Sequence, residues 1–141
     1  MTYKELSSKI IGAAIEVHRE LGSGLLEGVF EKCLVLVLRE KGLHVEQQVV
    51  VPVKFRGQDL GANLRLDLIV EGRIIVEVKA VEAIHDSHLA QTLTYLKLTG
   101  CKLGLVMNFG QRLLKHGIER VVNGLDEELS LIHISEPTRP Y

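Results

Sequence analysis

The chain has no tryptophan, and aromatic residues make up only 4% of its 141 residues. A protein that stacks nucleic-acid bases on exposed rings needs more such side chains, so no stacking platform is expected. Cysteine is nearly as scarce. Cys33 and Cys101 allow at most one bridge and fit no zinc-ligand spacing, which suggests a reduced, cytoplasmic protein. No run of about 18 apolar residues occurs, so the pattern contains no membrane-spanning helix, and the start MTYKELSSKI does not read as a signal peptide. Neither charge sign dominates: 17 basic against 18 acidic residues give a net charge of −1. That excludes a broad polycationic surface and leaves room only for a local basic groove.

What is present is ordinary globular composition, 46% hydrophobic and 25% charged, which argues against a disordered chain. The length suits one domain with a core that needs no staples. Two of the three prolines fall in the last five residues. The stretch Leu129 to Pro140 keeps neither a helix nor a strand period, and it resembles a translated transposon-end sequencing adapter carried by a metagenomic read. The domain is therefore expected to occupy residues 1–128, with 129–141 outside the fold.

Periodicity divides the rest. Leu6, Ile10, Ala14, Val17 and Leu21 recur at steps of three and four, which predicts an amphipathic helix over 4–21. Gly22-Ser23-Gly24 breaks it. A second helix over 25–41 follows, with Leu26, Phe30, Leu34 and Leu38 on one stripe and Gly42 at its end. The valine-rich stretch 44–55 reads as a strand, and Pro52 places it at a sheet edge or a bulge. Arg56 to Asp59 make a turn, and strands are expected over 63–70 and 74–80. A helix over 85–99 ends at Gly100, a buried strand covers 103–109, and a last helix is expected over 111–123. The order ααβββαβα predicts a layered α/β fold with a mixed sheet flanked by helices.

The hairpin between the middle strands carries the most information. A two-residue turn at Glu71-Gly72 would put Asp67 and Glu77 on opposite faces. A three-residue loop, Glu71-Gly72-Arg73 with a left-handed glycine, instead pairs residues whose numbers sum to 144. Leu66, Leu68 and Val70 then share one apolar side with Val78, Val76 and Ile74. The other side sets Asp67 opposite Glu77, Ile69 opposite Ile75 and Arg65 opposite Lys79. Burial selects this register, because only it gives a clean core face. Two adjacent carboxylates can share a hard cation such as Mg²⁺, which lowers the pKa of a bound water and neutralises phosphoryl charge, while a neighbouring lysine steadies the developing charge. The same spacing, Asp-x9-Glu-x-Lys, also fits a cross-strand pair with a salt bridge on a solvated sheet face.

The strand IIVEVKA after an upstream aspartate resembles the PD-(D/E)XK nuclease superfamily. More narrowly, the segments IIGAAIEVHRELGSGLLEGVF (10–30), LRLDLIVEGRIIVEVKAVEAI (64–84), AQTLTYLKLTG (90–100) and GLVMNFG (104–110) resemble its GxxExxY family. Phe30 stands where that family has tyrosine, and Ser23 where proline is common. The resemblance implies a restriction-endonuclease-like core and a Mg²⁺ site, with Mn²⁺ as the other candidate ion. It implies Asp67 and Glu77 as metal ligands, the Val78 carbonyl as a third, and Lys79 as the catalytic lysine. Glu27 becomes an additional ligand or a group behind one, although a glutamate there is also stabilised by the helix dipole. Gln91 and Tyr95, four apart on one helix, resemble a Gln-x-x-x-Tyr element beside such sites; they also fit a polar stripe next to Leu89, Leu93 and Leu96. His18 fits either a capping or packing residue between helices or one that approaches Glu27 across the glycine break, and His88, one turn before Gln91, either a solvated residue or one that reaches phosphate.

Two functional expectations stand together. One is a metal-dependent nuclease acting on DNA or RNA. The other is a non-catalytic module on the same fold that binds nucleic acid or protein. A homodimer is compatible with both, and a membrane association with neither.

Overall fold

The computed structural model describes residues 1–124; the stretch 129–141 expected to lie outside the fold is beyond them. Two helices, α1 (Tyr3–Leu21) and α2 (Glu27–Glu40), precede three strands, β1 (Val45–Phe55), β2 (Gln58–Val70) and β3 (Ile74–Lys79). Then come α3 (Asp86–Thr99), β4 (Leu103–Asn108), a 3₁₀ turn at Leu114–Gly117 and β5 (Ile118–Val122). The strands form one mixed sheet in the order β1-β2-β3-β4-β5, antiparallel except for the parallel pair β3 and β4. A parallel pair needs a long crossover, and α3 supplies it.

Burial on both faces explains the sequence of the central strands. IIVEVK and LGLVMN are nearly continuous apolar runs, and all of their residues are buried except the half-buried Lys79. One core layer joins α1 and α2 to Leu68, Val70, Ile74, Val76 and Val78. The other lies beneath α3 and gathers Leu66, Ile69, Ile75, Leu89, Leu96 and Val106. The helical stripes hold except beside the glycine break, where Leu21 and Leu26 are exposed.

The expected register is present: Leu68 pairs with Val76, Ile69 with Ile75 and Val70 with Ile74. Both Glu71 and Gly72 adopt positive φ in the loop. Two backbone-anchored bonds to His44 hold Glu71 there, one from its own N–H and one to its carboxylate. Pro52 lies in the edge strand β1, next to a register shift between Pro52 and Lys54.

Three expectations are corrected. Residues 111–123 are not a helix, because Gly110 and Gly117 break the run and Ile118–Val122 pair with β4 as its outer strand. The β1–β2 turn narrows to Arg56-Gly57, both at positive φ, so β2 begins at Gln58 instead of residue 63. Leu66 does not share the layer of Leu68 and Val70; it joins the layer beneath α3. The alternation slips at Asp67, and the same interruption builds the site described below.

The glycines separate two kinds of position. A Cβ on Gly110 would lie 2.5 Å from the Val81 carbonyl oxygen and 2.9 Å from its nitrogen. Backbone cannot yield as a flexible side chain does. Gly12, in the interior of α1, has nothing within 4 Å of that position. Urea denaturation should therefore show Gly110→Ala losing about 1–3 kcal/mol. Gly12→Ala should gain about 0.5–1 kcal/mol from helix propensity.

Candidate active site

The sheet is interrupted at the level of Asp67. Pairing between β1 and β2 skips Gln48 and Asp67, and pairing between β2 and β3 stops at Leu68 and Val76. Gln48 takes a left-handed conformation at φ 49°. β2 thus leaves β3 just where Asp67 and Glu77 would have faced each other across the ladder, and Arg65 is not brought opposite Lys79 by ladder pairing.

Side chains replace the missing rungs. The Asp67 N–H donates to Glu77 Oε2 at 2.8 Å, and the Val78 N–H donates to Asp67 Oδ2 at 2.8 Å. Each carboxylate therefore satisfies a backbone donor of the opposite strand that the separation would otherwise orphan. In an extended strand the N–H and C=O of one residue leave on the same edge, so the Val78 carbonyl also faces this gap.

The electrostatics are costly. Glu77 is 3% exposed. Burial first, and then the neighbouring Asp67, push its carboxyl up to about 8, against the pull of the Asp67 N–H and of Lys79. Asp67 is raised too, mainly by burial, while the Val78 N–H and Lys79 oppose the shift. Lys79 lies half-buried at the end of β3, and no ion pair within 4 Å ties it to either carboxylate among the described residues.

α2 brings two more carboxylates. Glu27, its first residue, accepts from the Ala80 N–H at 3.2 Å and so braces the chain just after Lys79. Glu31, one turn on, accepts from the Gln48 amide at 3.0 Å, and that same amide reaches Asp67 Oδ1 at 3.4 Å. Sequence reasoning missed both Glu31 and Gln48. The four-residue spacing from Glu27 was the available signal for Glu31; Gln48 has none, since its role exists only where β1 and β2 part.

The other expected residues divide. Tyr95 is buried against Leu66 and Ile69, and its hydroxyl donates to the Arg65 carbonyl at 3.1 Å, holding the departing segment of β2. Burial first, then Glu77 and Asp67, raise its pKa. Gln91 is exposed on α3, and among the described residues no hydrogen bond joins it to the carboxylates. His88 is half-buried: burial and then Lys79 lower its pKa, and its Nδ1 accepts from the His85 N–H. His18 packs on Phe109 and bonds the Gln111 carbonyl at 2.7 Å. Phe30 is wholly buried and stacked on Phe109, centroids 4.8 Å apart, so its ring packs without needing a hydroxyl.

The loop after Lys79 is fastened from β4. The buried Asn108 side chain takes the Val81 N–H at 3.0 Å and donates to the Val81 carbonyl at 2.8 Å. It therefore sets where the chain turns after the lysine, a third role that sequence reasoning missed.

Whether these groups suit a cation is decided by their chemistry. Among the described residues no three His, Cys, Asp or Glu side chains converge as a complete metal cage. A hard ion such as Mg²⁺ does not need one, since it takes one or two carboxylates and fills its shell with water and substrate phosphate. Asp67 and Glu77 offer oxygen donors only, and their burial makes a nearby positive charge favourable. The donor set fits.

A family model for the PD-(D/E)XK nuclease superfamily matches residues 4–121. No curated protein and no solved structure matches the chain.

A pH dependence follows from Glu77. The folded protein keeps this carboxyl protonated up to about 8, whereas the unfolded chain releases the proton near 4.5. Between those values the folded state binds more protons, so metal-free stability falls as pH rises, and the Asp67 shift has the same sign. Glu77→Gln removes the charge. Its stability advantage over wild type in metal-free urea denaturation should grow by about 1 kcal/mol or more from pH 5 to pH 8.5. A difference that stays flat would mean that Glu77 is charged and compensated in the fold.

Proposed function

This chain belongs to the PD-(D/E)XK nuclease superfamily, and we propose that it is a metal-dependent nuclease that hydrolyses phosphodiester bonds of nucleic acid. The observation that carries the reading is the pair of half-buried Asp67 and buried Glu77, formed where β2 leaves β3, with Lys79 two residues after Glu77 on β3. Burial raises both carboxyls, and Asp67 raises Glu77 further, an arrangement that costs stability. An apolar pair in unbroken ladder would serve the fold better, and a phosphodiesterase has a use for the costly arrangement.

In this reading Asp67 and Glu77 hold Mg²⁺, or Mn²⁺, with the Val78 carbonyl as a third donor. When bound, the ion activates water and offsets charge on the phosphoryl group. Lys79 orients the attacking water and steadies charge on the phosphate oxygens. Glu27 fixes the backbone after Lys79 and is available as a further acidic ligand. Tyr95 holds the Arg65 carbonyl, keeping β2 apart from β3. Gln91, exposed on the same helix, contacts the substrate backbone in this reading. Within the superfamily the four ordered segments support a GxxExxY-type member, with Phe30 in the place of tyrosine. The second reading is a non-catalytic module on the same fold that binds nucleic acid or protein, in keeping with the near-neutral net charge of −1.

Calorimetric titration separates the two. Mg²⁺ or Mn²⁺ should bind saturably to the wild type and not to Asp67→Ala/Glu77→Ala, whereas no binding by the wild type would leave the module as the better account. Lys79→Ala should keep the metal isotherm and the melting temperature, and should lower cleavage by at least about 100-fold in a screen of single- and double-stranded DNA and RNA. If Lys79→Ala unfolds the protein instead, the lysine is structural.

A further inference from the structure

A cavity of about 500 Å³ lies between the end of α1 and the loop before the 3₁₀ turn, away from the carboxylates. Arg19 enters from α1, Arg112 from the loop and Lys115 from the 3₁₀ turn; among the described residues no carboxylate lines it. In a chain with net charge −1 this is an uncommon concentration of cations. Arg19 also borders a smaller cleft with Glu16 and Glu20, but Glu16 is taken up by an ion pair with Lys41 at 3.0 Å. His18 forms part of the wall and is fixed there by its bond to the Gln111 carbonyl.

The cavity is connected to the catalytic strand. The Gln111 side chain donates to the Glu82 carbonyl at 2.9 Å, and Asn108 clamps Val81. Glu82 follows Lys79 by three residues, at most about 10 Å of extended chain. The loop that carries the cations thus rests on the segment leaving the candidate active site.

We propose that this cavity is a phosphate-binding subsite that takes a backbone phosphate of the nucleic-acid strand, flanking the bond presented to Asp67, Glu77 and Lys79. Guanidinium groups suit phosphate because they donate in a planar fork, and an ammonium adds a point charge. Local placement of the cations accounts for strand binding without a basic surface overall. The inference rests on the nuclease reading. Free phosphate or a mononucleotide is the other source of the same chemistry.

The test uses the full chain, with fluorescence anisotropy of labelled 20-nucleotide single and double strands in Ca²⁺ or without divalent ion. Arg19, Arg112 and Lys115 are all exposed, so their replacement should leave the melting temperature unchanged. Arg19→Ala/Arg112→Ala/Lys115→Ala should bind at least about 10-fold more weakly, with the slope of log affinity against log salt smaller by about 2–3. Arg112→Glu/Lys115→Glu should weaken binding further. Metal titration should be unchanged in both variants, because the carboxylate pair is untouched.

Strand binding by the triple variant equal to wild type overturns the inference, as does a wild type that binds no strand. Saturation by inorganic phosphate or a mononucleotide, lost in the triple variant while strand binding persists, assigns the cavity to a free anion and overturns it too. Loss of metal uptake in the wild type would instead strike the nuclease reading, so the two failures are distinguishable.

Discussion

The exchange of hydrogen bonds between Asp67 and the Glu77–Val78 segment is the interaction on which the rest of the arrangement depends. In an unbroken sheet the Val78 N–H would have met a carbonyl of β2 and the Asp67 N–H one of β1, because successive residues of a strand face opposite neighbours. Each N–H instead meets a carboxylate from the other strand. Strand separation and acid placement are thus one event: without the carboxylates the gap would hold orphaned donors, and without the gap the carboxylates would have no backbone partners. The remaining cost is charge, since burial raises both groups. A cation would offset that cost, which connects the packing of the hairpin to the chemistry of the superfamily.

The surrounding structure keeps this gap from closing or drifting. Gln48 turns left-handed opposite it and carries a link from Glu31 to Asp67. Tyr95 fastens β2 on its far side, while Glu27 and Asn108 fasten the chain after Lys79. These braces come from α2, β1, α3 and β4. The face switch of Leu66 has the same origin, because a strand that leaves its partner and twists at Asp67 delivers its next apolar residue to the other core layer.

Legibility followed range. The three-residue loop and the sum-144 register could be read locally, since a one-residue slip would have sent half of the hairpin's apolar residues to the wrong face. The same logic failed at 111–123, where an apolar pattern short enough for either element was read as a helix. There the deciding facts were non-local: β4 needed an outer partner, and Gly117 needed room against the Asn108 carbonyl oxygen, 2.6 Å from where its Cβ would be. Gln91 and Tyr95 illustrate the difference within one helix, because an i, i+4 pair shares a face by geometry, yet only packing against Leu66 and Ile69 made one of them buried.

By itself the sequence determined the alternation of layers, the buried central strands and the side-by-side order of Asp67, Glu77 and Lys79, because these follow from periods of 3.6 and 2 over a few residues. Only the tertiary structure decided that the ladder ends at that point, that Glu31 and Gln48 join Asp67, that Asn108 sets the turn after the lysine, and that Arg19 meets Arg112 and Lys115 around one cavity. Each of those depends on groups tens of residues apart, whose meeting is set by how the two core layers pack and leaves no period along the chain.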